Sequence, residues 1–140
     1  MTDSSRELAP WGIAVLRVVV GAVFLVHGLQ KLLVFGFSGT SRFLDAMSVP
    51  APGMAAALLI TTELLGGLFL ILGVFTKPAT MALAIDNFMA LALVHIPNGF
   101  FASSNGAEFV LTLFAVNLAL YHAGPGAFAL RNLILKETST

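Results

Sequence analysis

Residues 11–34 read WGIAVLRVVVGAVFLVHGLQKLLV and identify the environment of the protein. The stretch is almost wholly apolar, and a helix needs ~17 to 25 such residues to cross a bilayer. It nevertheless contains Arg17, His27 and Lys31. An Arg or Lys at the centre of a membrane helix costs about 2.5 to 3.5 kcal/mol or more. Each of these side chains therefore needs a partner inside the protein.

Three further apolar stretches follow, at about residues 53–74, 78–96 and 106–123. Of the 140 residues, 58% are hydrophobic and 10% are charged. Soluble domains contain roughly 45 to 50% apolar residues. The sequence therefore predicts an all-α fold, an integral membrane four-helix bundle that forms a single transmembrane domain over residues 1–140.

Glycine and proline mark the ends of the predicted helices. Loops are expected over residues 35–52 and 97–105, and a tight turn is expected at Thr76-Lys77-Pro78. The fourth helix is expected to end at Gly124. After it, residues 127–136 are predicted to form a short amphipathic segment at the membrane interface.

The basic residues predict the orientation in the membrane. Lys31 and Arg42 fall on the side of the two longer loops, whereas the side of the termini carries Arg6, Lys77, Arg131 and Lys136. Lys and Arg are in excess on the cytoplasmic side of membrane proteins. Both termini are therefore predicted to be cytoplasmic, and the two longer loops to face outward.

One face of each predicted helix collects small and ionisable residues. On the first helix this face recurs at three- and four-residue spacing through Arg17, Gly21, Phe24, Gly28 and Lys31. On the second helix, Glu63 shares a face with Gly66 and Gly67. Because small residues allow two helix backbones to approach closely, these faces are predicted to pack inward.

A helical rise of ~1.5 Å per residue places the ionisable groups at two depths. An inner ion pair is expected between Arg17 and Asp86, with Glu63 near the middle of the membrane. The candidate ligand-binding residues are Glu63 and an outer polar cluster of His27, Lys31, His95 and Glu108.

Alternative interpretations of these groups stay open. Arg17 is a structural partner of either Asp86 or Glu63. Glu63 either pairs with Arg17 or is protonated, as a proton relay requires. His27 either hydrogen-bonds a carbonyl oxygen of a ligand or is bonded to neighbouring protein groups.

Composition argues against several classes of function. The chain has no cysteine, so it forms no disulfide and supplies no thiolate to an iron–sulfur cluster. A formal net charge of zero without a basic run argues against nucleic-acid binding. The histidines include no closely spaced pair, so neither a metal site with His27, His95 and Glu108 nor haem ligation is expected.

A further pattern is spread over all four predicted helices. It comprises Arg17, Gly21, Phe24, His27, Gly28 and Lys31, then Glu63, Gly66, Gly67 and Gly73, then Thr76-Lys77-Pro78-Ala79, then His95, Gly99-Phe100-Phe101 and Gly106-x-Glu108. In this pattern the chain resembles the DoxX family of small bacterial four-helix membrane proteins, over about residues 12–125. The resemblance implies a multi-pass protein of the bacterial inner membrane.

The resemblance also implies a link to redox chemistry, because some members are subunits of quinone-linked oxidoreductases acting on sulfur compounds or of membrane-associated oxidoreductase complexes. The chain is then at most one subunit of a quinone-linked oxidoreductase, embedded in the lipid bilayer. A soluble or membrane partner subunit would supply the electrons, and no covalently bound cofactor is expected. The leading hypothesis is therefore a subunit that binds a quinone or a similar lipophilic molecule near the outer leaflet. His27, Lys31 and Glu108 would hydrogen-bond the polar head of the ligand, and Glu63 would exchange protons.

Two other functions fit the same residues. One is a non-catalytic membrane scaffold or adaptor that recruits a soluble enzyme, with the buried charges fixing only the packing. The other is a small-solute transporter, for which a dimer would form the pathway. Asn117 lies opposite the Glu108 face of its helix and is a candidate contact with another helix or, in a homo-oligomer, with a second copy.

Overall fold

The computed structural model describes residues 3–130, which contain five α-helices and no β-strand. The helices are α1 (Asp3–Leu29), α2 (Gly36–Ala46), α3 (Pro52–Leu72), α4 (Thr76–Ala90) and α5 (Glu108–Ala123). A π-helical turn, Gln30–Val34, continues α1, and another, Leu91–His95, continues α4. Short 3-10 turns at Ile96–Asn98 and Ala102–Ser104 lead into α5.

Three helical segments of the described chain are long and apolar enough to cross a membrane, namely Ala9–Val34, Pro52–Leu72 and Thr76–Asn98. The fourth predicted span is the shorter apolar helix Glu108–Ala123. At ~1.5 Å per residue its 16 residues extend about 24 Å. The predicted fold class, an all-α membrane bundle, is confirmed.

The segment predicted as a loop over residues 35–52 is mostly helical, because α2 occupies Gly36–Ala46. Gly36 adopts a φ of +69° and turns the chain after the first π-helical turn. Helical structure then resumes in α2. The buried Thr40 hydroxyl then donates to the carbonyl oxygens of Lys31 and Gly36, at 3.3 and 3.1 Å. The prediction of a loop here was wrong. Of the predicted interfacial segment, residues 131–136 lie outside the described residues.

The two longest helices, α1 and α3, pack antiparallel through glycine. A Cβ atom on Gly21 would lie 2.7 Å from the Gly67 carbonyl oxygen, and one on Gly67 would lie 2.6 Å from the Leu25 nitrogen. Real Cβ atoms do not approach so closely, so the two backbones are in direct contact only because both residues lack a side chain. This confirms the inward orientation predicted for the two glycine faces.

The four long helices pack against one another in the order in which they occur in the sequence. α3 packs on α1, α4 on α3 and α5 on α4, while α2 lies against α3. The segment after α5 returns to the start of the chain, where the Ala127 N–H donates to the Pro10 carbonyl at 2.9 Å. A core of buried residues joins the four long helices and consists of Val20, Phe24, Leu70, Ala79, Leu83 and Leu113.

Candidate functional site

A cavity of about 910 Å³ lies between the helices at the end of the bundle that carries α2. Its wall is mainly apolar and includes Leu58, Ile85, Leu93 and Phe109. Polar side chains enter it from several elements, and these are His27, Gln30, Lys31, Thr62, Glu63, Asp86, Asn87, His95 and Asn105. Small-molecule sites are typically concave, largely apolar and provided with a few polar groups, as this cavity is.

Lys31 and Glu63 form an ion pair in the wall of this cavity. The Lys31 Nζ atom lies 2.8 Å from both Oε1 and Oε2 of Glu63. Glu63 is 5% exposed and projects from the middle of α3, whereas Lys31 lies in the π-helical turn that follows α1. Such turns occur frequently at functional sites. The partner of Glu63 is therefore Lys31, and its expected alternative partner, Arg17, lies elsewhere.

Asp86 lies near this ion pair and has no hydrogen-bond partner of its own among residues 3–130. Its carboxyl group interacts electrostatically with both Glu63 and Lys31. The next residue, Asn87, is 4% exposed, and its Nδ2 atom also lacks a partner in the described chain. The cavity wall thus carries two carboxyl groups and one ammonium group.

Arg17 lies at the opposite end of the bundle and is 1% exposed. Its Nη1 atom donates to the carbonyl oxygens of Leu70 and Ile71 at 2.8 and 3.3 Å, and its Nη2 atom donates to that of Ala127 at 3.3 Å. The last carbonyls of a helix lack intrahelical partners and carry partial negative charge. Arg17 therefore caps the C-terminal end of α3.

The predicted ion pair between Arg17 and Asp86 was wrong, and the helical register gives the reason. Arg17 is level with Leu70 on α3, whereas Asp86 lies near Glu63, seven residues earlier on α3. Seven residues correspond to a height difference of ~10 Å. Depths counted from predicted helix ends placed the two groups at one level, but α1 begins well before Trp11 and α4 begins at Thr76.

Two histidines, His27 and His95, line the cavity. The ring of His27 stacks on Phe109, with centroids 6.3 Å apart. The Nδ1 atom of His95 lies 2.8 Å from the Asn105 carbonyl oxygen, which attaches the second π-helical turn to the loop before α5. In the part of the chain that the structure describes, no group of three or more His, Cys, Asp or Glu side chains is arranged to hold a metal ion.

Glu108 does not contribute to the cavity wall. Its Oε2 atom accepts the Ala102 N–H at 2.9 Å, and its own N–H donates to the Phe100 carbonyl at 2.8 Å. The residue is exposed and orders the loop that precedes α5. Of the five predicted ligand-binding residues, the structure brings together His27, Lys31, Glu63 and His95 but leaves Glu108 outside.

A known protein family matches the part of the chain that carries the ion pair. The family model DoxX matches residues 12–96, which include Lys31, Glu63 and Asp86. The chain belongs to the DoxX family. The match ends before α5, so the part of the cavity that is recognisable in the family model is built from α1 to α4.

Similar proteins occur in several bacteria. This DoxX-family chain is 34% identical to an uncharacterized protein of Haemophilus influenzae, covering 96% of the chain and 99% of that protein. It is 31% identical to the inner membrane protein YqjF of Escherichia coli, covering 94% of the chain and 98% of YqjF. It is 29% identical to a Bacillus subtilis protein named "Putative oxidoreductase CatD", covering 78% of each. No solved structure matches the chain.

Several residues that line the cavity of this DoxX-family protein were not predicted from the sequence. Asp86 was assigned to a structural pair, and Asn87, Gln30, Thr62 and Asn105 were not singled out. The adjacent Asp86 and Asn87 in an otherwise apolar helix are the signal that could have identified this wall. The contribution of α2 and the residue that follows it, through Phe43, Leu44 and Met47, has no comparable signal because the segment lacks the length of a membrane span.

Proposed function

We propose that this protein is a bacterial inner-membrane subunit of an oxidoreductase system that binds a quinone or a similar lipophilic molecule in the cavity. The observation that carries the proposal is the cavity itself, about 910 Å³ of mainly apolar space with a Lys31–Glu63 ion pair in its wall. Its volume lies within the roughly 300 to 1,000 Å³ of typical small-molecule sites.

The polar groups suit the oxygens of a quinone head. Lys31 has three ammonium protons, and its contacts with the two oxygens of Glu63 leave capacity for one more acceptor. His27, one helical turn before Lys31, provides a ring nitrogen for a second hydrogen bond. These two groups would hold the head of the ligand, while Leu58, Ile85 and Leu93 would contact its apolar tail.

Reduction of a quinone to a quinol takes up two electrons and two protons. Glu63 and Asp86 are the carboxyl groups that line the cavity and would exchange the protons. The chain has no cysteine to ligate an iron–sulfur cluster, so the electrons would come from a partner subunit. The oxidoreductase name of the Bacillus subtilis relative agrees with this assignment.

The orientation proposed from the basic residues puts both termini in the cytoplasm. The N-terminal part of α1 and the segment after α5 lie together, at the end of the bundle opposite α2. With cytoplasmic termini, the cavity would open at the level of the outer leaflet. A ligand dissolved in the bilayer would then reach the cavity without crossing water.

The test is to purify the protein in native lipid and to identify retained small molecules by mass spectrometry. Wild type is compared with His27→Ala and with His122→Ala, which removes an exposed histidine of α5 outside the cavity wall. We expect a quinone or another isoprenoid in wild type and His122→Ala, and its loss from folded His27→Ala. Phospholipid alone in all three samples would contradict quinone binding and favour the scaffold function.

A further inference from the structure

The cavity contains one more carboxyl group than its ammonium group can neutralise. The Lys31 ammonium is shared by the two oxygens of Glu63, which leaves Asp86 without a cation in direct contact among residues 3–130. The ionisable groups that share the cavity with Asp86 are His27 and Lys31 from the α1 segment, Glu63 from α3 and His95 from the α4 segment. With neutral histidines, ionised Asp86 gives the cavity a net charge of −1.

Such a charge requires compensation. An isolated carboxylate in apolar surroundings is very costly, and the cost falls when the group takes up a proton or contacts a cation. Asn87, the residue after Asp86, also lines this cavity, although its unpaired Nδ2 atom is itself buried. The Asp86 carboxyl is therefore the group of the cavity wall that lacks a charge partner and that a bound cation would neutralise.

We propose that the cavity also binds lipophilic organic cations, whose positive group contacts the Asp86 carboxylate in exchange for a proton. In this step the Asp86 O–H bond breaks, the proton leaves to water, and the carboxylate and the bound cation form an ion pair. No electron is transferred.

The walls of the cavity suit the apolar part of such a cation. Phe35, Phe43 and Phe109 provide aromatic rings, and a ring face attracts a cation within about 6 Å of its centre. Leu58 and Ile85 line the cavity and are also 62% and 59% exposed on the outer surface of the bundle. The cavity is therefore bordered by the lipid-facing surface, from which a lipophilic cation would enter.

The experiment measures binding of tetraphenylphosphonium to the purified full chain in detergent by titration calorimetry, between pH 6 and 8. Wild type is compared with Asp86→Asn and with Asp45→Asn, which removes an exposed carboxyl of α2 outside the cavity wall. Wild type and Asp45→Asn should bind, release up to one proton per cation, and bind up to about tenfold more tightly per pH unit. Asp86→Asn should lose at least about tenfold in affinity together with the pH dependence.

Further measurements keep the proposal falsifiable if Asp86→Asn does not fold. Cation binding by wild type without proton release would overturn it, as would wild-type affinity in Asp86→Asn. The unperturbed histidine side chain changes charge near this pH range, so the pH slope is also measured in His27→Ala, and a slope that disappears there assigns the proton to His27. If wild type retains quinone but does not bind the cation, this inference alone is overturned. If wild type binds the cation but retains no quinone, the proposed function alone is overturned.

Discussion

The ammonium nitrogen of Lys31 lies 2.8 Å from each carboxylate oxygen of Glu63, which ties the end of the first membrane span to the middle of the second. The pair is largely buried, with 20% and 7% of the two side chains exposed. Removal of one partner leaves the other charge buried without compensation, whereas removal of both does not. The effects of the single and double substitutions should therefore differ.

Lys31→Met is expected to lower the free energy of unfolding by about 3 to 5 kcal/mol, because it leaves Glu63 unpaired. The double variant Lys31→Met with Glu63→Gln should recover most of that loss. Reversible unfolding in mixed detergent micelles measures both values. Equal destabilisation by the single and double variants would show that the two residues are not coupled.

Arg17→Met should destabilise the protein without changing ligand retention in the cavity. The substitution removes the guanidinium donors from the carbonyls of Leu70, Ile71 and Ala127, of which Leu70 still accepts the Gly73 N–H. Each hydrogen bond to a charged group contributes about 1.5 to 3 kcal/mol. Arg42→Met, at an exposed position of α2, is the control and should have little effect. Loss of the ligand from folded Arg17→Met would contradict the purely structural role.

Gly21→Ala is expected to separate α1 from α3, because the new Cβ atom would lie within 3 Å of the α3 backbone. Forcing an extra methyl group into a tightly packed interface costs about 1 to 3 kcal/mol. Gly12→Ala on the same helix has no neighbouring atom within 4 Å and should be neutral or slightly stabilising. Thermal unfolding of the two variants compares them directly, and similar melting temperatures would contradict the close packing.

Glu108→Gln should leave quinone retention unchanged, in contrast to His27→Ala. Its side chain accepts the Ala102 N–H and does not line the cavity. Because Gln keeps an oxygen that can accept this N–H, we expect little change in stability, whereas Glu108→Ala should lose about 0.5 to 1.5 kcal/mol, the usual contribution of one hydrogen bond. Mass spectrometry of co-purified molecules checks the first expectation, and loss of the quinone from a folded variant would restore Glu108 to the ligand site.

The fold was largely predictable from sequence, because it follows from local patterns. Hydrophobic length predicts the spans, and the recurrence of Gly21, Gly28, Gly66 and Gly67 identifies the faces on which α1 and α3 meet. The family was also recognisable, since its pattern is spread over the helices. These features depend on residue type and spacing within single segments.

The partners of the buried charges were not predictable in the same way. Arg17 binds backbone carbonyls, which every residue possesses, so no residue type marks its acceptors. The proximity of Asp86 to Glu63 depends on the relative height of two helices, and an error of a few residues at a helix end shifts that height by several ångströms. Helix α2 was missed because its glycines and serine are also typical of loops.

Arg17 contacts carbonyl groups that are synthesised much later than Arg17 itself. Its acceptors on α3 lie 53 and 54 residues further along the chain, and the acceptor at Ala127 lies 110 residues further. Because synthesis begins at the N-terminus, Arg17 is made before any of these carbonyls. The full set of Arg17 contacts therefore forms only when almost the whole described chain has been made.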